Sequence, residues 1–295
     1  MKTAIALGTF DGLHSAHREV LALPCGYKKV AVTFSASPKM LINGQYELIL
    51  SFRDKCELLK KLGIDEIVTL NFDEVRNLSP FEFLDYLKTD LKADFISCGF
   101  NYNFGKNGSG NAEMLADFCR KNGISLNLQK PFVLENGQTL SSSHIRSLLK
   151  NGEIEKANRF LYTPFFYENE VLSGDRRGRT IGFPTINQKY PNDLVKLRFG
   201  VYKTKAVFGG KEYDCITNIG VRPTFETDYV ISETFIKSFS GDLYGKRVKI
   251  IPVSFLRDEK KFASIDELKK QIELDLQNYK PTDFNFSVGF IFYTN

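Results

Sequence analysis

The hydrophobic pattern of this 295-residue chain changes period once, near residue 160, and that change restricts the fold more than any other feature. Up to that point short apolar runs alternate with amphipathic stretches: Thr3 to Leu7, Lys29 to Phe34, Glu66 to Asn71, Asp94 to Cys98 and Ser125 to Leu128 read as strands. Strands separated by helices predict an α/β domain with a largely parallel sheet. The helix signals agree. Ser51 with Asp54 and Ser79 with Glu82 form N-cap pairs, Pro80 fits a first helical position, and Gly63 and Gly123 fit helix ends. Two further short helices are expected at Ser143 to Lys150 and Glu153 to Phe160.

From Glu168 onward, strand-like runs are divided by glycines and charged turns. Val201 to Phe208, the pair Gly209 and Gly210, and Glu212 to Ile219 make a hairpin signal, so this half is expected to be mostly antiparallel β. One late helix is marked by Ser264 and Glu267 ahead of DELKKQIELDLQNY. The domains are therefore expected at 1–162 and 163–295, with the boundary in LYTPF. The tail FNFSVGFIFYT is unusually apolar; an added edge strand, packing on the other domain and a cover over a site all remain open readings.

Several function classes recede on composition. With 42% hydrophobic and 25% charged residues the chain is ordinary globular material. No apolar run approaches the roughly 18 residues of a membrane span, and MKTAIALGTFDGLH reaches Asp11 before any signal-peptide cleavage site. A cytoplasmic protein without a membrane partner is expected. Cys25, Cys56, Cys98, Cys119 and Cys215 show no CxxC spacing, which predicts reduced thiols rather than a zinc site or disulfide framework. The net charge of +5 is spread evenly, 20 basic against 18 acidic residues up to 162 and 20 against 17 beyond, so no nucleic-acid-binding module stands out.

Three segments carry chemistry. GTFDGLHSAH, Gly8 to His17, falls where the first strand turns into the first helix, the crevice at which open α/β sheets bind ligands. Gly8 and Gly12 permit a close turn; His14 and His17 at i, i+3 suit a phosphate, a metal or a simple helix cap. SSSHIR, Ser141 to Arg146, places hydroxyls at another helix start and an Arg one turn on, whose fork suits phosphate oxygens. GRTIGFPTIN, Gly178 to Asn187, sets Thr185 and Asn187 on one side of a strand as hard oxygen ligands for a phosphate-bound Mg²⁺, with Gly178 and Gly182 admitting close backbone approach. Arg176, Arg177 and Arg179 just before it suit either polyphosphate attraction or a solvated basic loop.

NIGVRPTF, ETFIKSF, DLYG and RDEKKF follow GRTIGFPTIN in order, and with these the second half resembles riboflavin kinases. Taken with GTFDGLHSAH, LGIDEIVTLNF, GFNYNFG, SSSHIR and GEIEKAN, the chain from Lys2 to about Tyr279 resembles bacterial bifunctional riboflavin kinase/FMN adenylyltransferases, or FAD synthetases. That resemblance implies a Rossmann-like nucleotidyltransferase domain joined to a riboflavin-kinase-type antiparallel β-barrel with a C-terminal helix. It implies ATP-dependent phosphorylation of riboflavin to FMN, then adenylylation of FMN to FAD, with Mg²⁺ at both steps. Carried over by position, Glu233 is the base for the ribityl hydroxyl, and Thr185 and Asn187 hold Mg²⁺ or ATP phosphates. Arg257 borders the flavin. In the first half His14 and His17 stabilise the triphosphate, Ser142, Ser143 and Arg146 hold the pyrophosphate part, and Gly8, Thr9, Phe10 and Asn101 line the nucleotide.

The chain departs from the family pattern at four places. Ala16 replaces Gly in HSAH, Asn101 replaces Asp in GFNYNFG, Ser37 precedes Pro38 where His is usual, and Phe235 stands two positions after Glu233 where His is frequent. Two alternatives stand beside the bifunctional reading: a riboflavin kinase with a non-catalytic nucleotide- or flavin-binding first domain, and a flavin-responsive binding protein.

Overall fold

A computed structural model of the chain describes residues 1–173, 182–222 and 229–277. In the first half β1 (Thr3–Leu7), β2 (Lys28–Thr33), β3 (Glu66–Thr69), β4 (Ala93–Gly99) and β5 (Ser125–Gln129) form one sheet in the order β3-β2-β1-β4-β5, every pair parallel. Helices α1 (Ser15–Leu21), α2 (Pro38–Asn43), α3 (Phe52–Lys61), α4 (Phe72–Val75), α5 (Pro80–Thr89) and α6 (Ala112–Asn122) join the strands. β1 is buried along its whole length, as a central parallel strand covered on both faces must be. The expected caps are present: Ser51 accepts from the Asp54 amide, Ser79 and Glu82 close a reciprocal capping box with Pro80 at the first turn, and Gly123 ends α6 with φ 67°.

Helices α7 (Ser142–Lys150) and α8 (Ile154–Phe160) lead into a closed barrel of β6 (Tyr167–Leu172), β7 (Thr185–Lys189), β8 (Gly200–Phe208), β9 (Lys211–Arg222), β10 (Tyr229–Ile236) and β11 (Arg247–Arg257), in the order β10-β7-β6-β11-β8-β9. All its pairings are antiparallel. Gly209 (φ 56°) and Gly210 (φ 72°) supply the two left-handed residues that a tight two-residue hairpin needs. Thr204, Thr217 and Thr234 link three neighbouring strands by hydroxyl contacts of 2.7 and 2.9 Å on the buried side. Along β7 and β10 burial therefore alternates: Gln188, Ser232 and Thr234 are fully buried, while Glu233 between them is exposed. A final helix, α9 (Ile265–Gln277), begins at Ser264, whose Oγ accepts from the Glu267 amide.

The halves share a core. One apolar cluster contains Ile49, Leu140, Ile145, Leu148 and Leu149 from the first half together with Tyr190, Leu194, Val195 and Leu197 from the second. Leu48 pairs in parallel with Leu194 through Leu48 N–H to Asp193 O (2.8 Å) and Val195 N–H to Leu48 O (2.8 Å). His14 and Leu161 form a second bridge, beside which the Tyr162 amide donates to Leu13 O at 3.1 Å. The second bridge brings later chain back onto the turn that follows β1, and the first brings it onto the segment between α2 and α3.

Candidate active sites

The carboxyl ends of β1, β2 and β4 open into a cavity of about 1040 Å³. Its wall includes Gly8, Thr9, Phe10, His14, Ala16 and His17 from the turn after β1, Asn101 and Tyr102 from the segment after β4, and Ser141 and Ser142 at the start of α7. Phe34, Phe72, Phe100 and Phe132 give it extended apolar surface as well. The turn is bent by three left-handed residues, Phe10 (φ 51°), Gly12 (φ 81°) and Leu13 (φ 44°). Such a backbone is costly for non-glycine residues and persists where the surroundings hold it. Here the Phe10 and Leu13 side chains are fully buried, and a methylene at Gly8 would come within 2.9 Å of the Phe10 ring.

His14 occupies the N-cap position of α1 without a side-chain capping bond and stacks on His17 at 3.7 Å between ring centroids. Neither Nδ1 has a hydrogen-bond partner. Burial, reinforced by the positive charge of Arg146, pushes His14 down to about 4; burial, His14 and Lys55 hold His17 well below its ordinary value. Both imidazoles are therefore neutral donors at neutral pH, facing the cavity from one helical turn.

Of the other predicted residues in this half, Ser142 lies at the wall and its Oγ donates to the Asp11 carbonyl (2.9 Å). Ser141 is the N-cap of α7, accepting from the His144 amide. Ser143 is exposed and does not line the cavity. Nor does Arg146. Its Nη2 bonds Asp11 Oδ2 at 2.6 Å and its Nε donates to Glu47 O at 2.8 Å. The departures Ala16 and Asn101 both lie on the cavity wall, whereas Ser37 caps α2 by accepting from the Met40 amide.

Lys55 was not among the expected site residues. Only 3% exposed, it donates from α3 to Thr9 O (3.0 Å), Thr33 Oγ1 (3.3 Å) and Phe34 O (2.5 Å), and burial pushes it down to about 8. It ties the tips of β1 and β2 behind the cavity.

On the barrel, register places Asn187 and Asn218 on either side of Glu233 as its direct cross-strand partners. Thr185 follows on the same face of β7, opposite Phe235, whose ring meets Phe183 at 5.4 Å. The Oδ1 atoms of Asn187 and Asn218 are both buried without a hydrogen-bond partner. Buried amide oxygens seldom remain so, and an oxygen-seeking cation or a hydroxyl donor satisfies them. The residues thus fit a phosphate-bound Mg²⁺. Asn218 gave no separate signal in the sequence; only the register shows that it flanks Glu233. Its Nδ2 donates to Glu259 Oε1 (3.1 Å), and Glu259 lies so close over Gly220 that a side chain there would collide with it.

Arg257 makes a two-pronged contact with Asp275 of α9 at 2.8–3.2 Å. It anchors the last helix to the barrel. Gly182 is described, with φ 84°; Gly178, Arg176, Arg177 and Arg179, the last residues of NIGVRPTF and the aromatic tail lie outside the described residues.

Comparison with known proteins bears on both sites. A family model for FAD synthetase matches residues 1–144, and one for riboflavin kinase matches residues 161–282. The bifunctional riboflavin kinase/FMN adenylyltransferase of Bacillus subtilis (strain 168) is 34% identical over 289 residues, covering 94% of this chain and 91% of the relative. The chain belongs to the bifunctional riboflavin kinase/FMN adenylyltransferase family.

Another relative with that description, from Haemophilus influenzae, is 30% identical over 94% of this chain and 93% of its own length. Among solved structures, one described as a macrolide-efflux protein from Streptococcus pneumoniae superposes with a TM-score of 0.82 at 27% identity, covering 94% of this chain and 93% of that one. Among the described residues no helix is long and apolar enough to cross a membrane. The family's two parts coincide with the two architectures seen here, the parallel sheet and the closed barrel.

Proposed function

We propose that the barrel transfers the γ-phosphoryl group of ATP to riboflavin and that the cavity of the parallel-sheet half transfers AMP from a second ATP to the resulting FMN. In the first step the ribityl 5′-hydroxyl oxygen attacks the γ-phosphorus, its proton passes to Glu233, and ADP leaves. Asn187 Oδ1 and the Thr185 hydroxyl would hold Mg²⁺, which when bound would neutralise charge on the ATP phosphates. In the second step a phosphate oxygen of FMN attacks the α-phosphorus and pyrophosphate leaves, giving FAD. His14, His17 and Ser142 face the nucleotide phosphates, with Gly8, Thr9, Phe10 and Asn101 around the nucleoside. No covalent enzyme intermediate is needed; positioning and preorganised donors carry the rate.

The observation that carries this reading is the presence of two settings in one chain: a stacked histidine pair in a cavity of nucleotide size, and a carboxylate flanked by two partnerless amide oxygens. The domain division at residue 162 is part of the proposal, supported by the matched ranges on either side. So is a cytoplasmic setting, which the five free cysteines support.

Flavins separated by chromatography after reaction with MgATP test the assignment. The wild-type protein is expected to give FMN and FAD from riboflavin. Glu233→Gln should cut FMN formation by about 10²- to 10⁴-fold, the usual worth of a general base, and still convert supplied FMN to FAD. His17→Ala should do the reverse. FMN without FAD from the wild type would identify a kinase alone, and neither product a binding protein.

A further inference from the structure

Asp11 has no role in either chemical step, yet its carboxylate accepts three hydrogen bonds beside the adenylyl cavity. It is 4% exposed and absent from the cavity wall. Its Oδ1 accepts from the amides of Ile49 (2.9 Å) and Leu50 (3.4 Å), its Oδ2 from Arg146, and its main-chain carbonyl from Ser142 Oγ. The carboxylate is thus spent on three protein donors and does not line the cavity. What it holds is the turn itself. Phe10, Gly12 and Leu13, all left-handed, surround it in sequence, and His14 follows directly.

The partners of Asp11 are anchored in turn. The segment carrying Ile49 and Leu50 is bound to α7 by Arg146 Nε on Glu47 O, and to the loop after β7 by the two main-chain bonds between Leu48 and Asp193–Val195. Turn, α7 and barrel loop therefore meet in one clasp. We propose that Asp11 is a positioning residue for adenylyl transfer, fixing the His14–His17 pair and Ser142 relative to one another through this clasp, with the barrel loop as its outer support. A displacement near 1 Å in such a constellation is enough to cost on the order of 10²-fold in rate.

The inference rests on the adenylyl-transfer reading of the cavity, and steady-state kinetics of FAD formation from FMN and MgATP separate the two. Asp11→Asn keeps the volume and the Oδ1 acceptor but turns an amide N–H toward Arg146. Its kcat should fall roughly 10- to 100-fold, with KM for ATP and FMN changed less than about threefold and riboflavin phosphorylation unaltered. Arg146→Met should show the same split, and the double variant should be no slower than either single one, because both remove one bond. Wild-type kinetics in Asp11→Asn, equal loss of both activities, or additive losses with a raised KM for ATP confined to Arg146→Met would each overturn the proposal. A wild-type protein that makes no FAD would overturn the adenylyl reading and the inference together.

Discussion

His14 shows how one buried side chain makes the substrate-free protein sensitive to pH. Burial and Arg146 push its imidazole down to about 4 from an ordinary 6.5. Between those values the unfolded chain binds a proton that the native imidazole refuses, so this contribution to stability is complete above pH 6.5 and is lost as pH falls toward 4. At 1.36 kcal/mol for each pH unit the loss is roughly 3 kcal/mol. Asp11 runs the other way, because burial raises its carboxyl against the pull of Arg146 and two amides. The comparison must therefore be with His14→Asn: denaturant titrations from pH 7 to 4 should show a gap between the two proteins that changes by about that amount. A constant gap would mean that the native imidazole titrates normally. At this scale the sequence was legible where a motif presents its own residues, as with Gly8, His14 and Asn187. It named Arg146 for phosphate but was silent on its bond to Asp11, which spans 135 residues without any local pattern.

At the scale of elements, the strand positions read from the hydrophobic pattern agree to within three residues at each end, since period-2 and buried runs are local signals. Lys55 is the instructive miss. On α3 it occupies the inward face beside Leu58 and Leu59, where periodicity leads one to expect another apolar residue. The carbonyls of Thr9 and Phe34 at the strand tips are what make a cation acceptable there. Lys55→Met should leave the Thr9 and Phe34 carbonyls to share the single Thr33 hydroxyl, 3.1 and 3.4 Å away, and destabilise the protein by about 1–3 kcal/mol, read as a lower denaturation midpoint. An unchanged midpoint would show that well-packed hydrocarbon replaces the ammonium without loss. Arg257 was read by motif position for the flavin; the pairing of its guanidinium with Asp275, which docks α9, had no local signal in the sequence.

For the whole molecule, the period change near residue 160 marks the two architectures but conceals the core they share. A fragment from Thr163 to Asn295 contains every described residue of the kinase setting and should phosphorylate riboflavin. It also bares the surfaces of Tyr190, Leu194, Val195 and Leu197 that join the cluster with the first half. At about 1.5–3 kcal/mol for each large apolar side chain fully exposed, partial exposure of four should weaken the barrel by on the order of 5 kcal/mol. Thermal unfolding of the fragment and the full chain checks this, and equal stability would show that the shared cluster supports only the first half. The same long-range ties order events during synthesis. His14 leaves the ribosome early, but Arg146 and the 193–195 loop that complete its surroundings follow some 130 to 180 residues later. At 5–20 residues per second, roughly 7–40 s pass in which the nascent chain carries that glycine-bent turn without its clasp. The first site encoded is thus among the last to be finished.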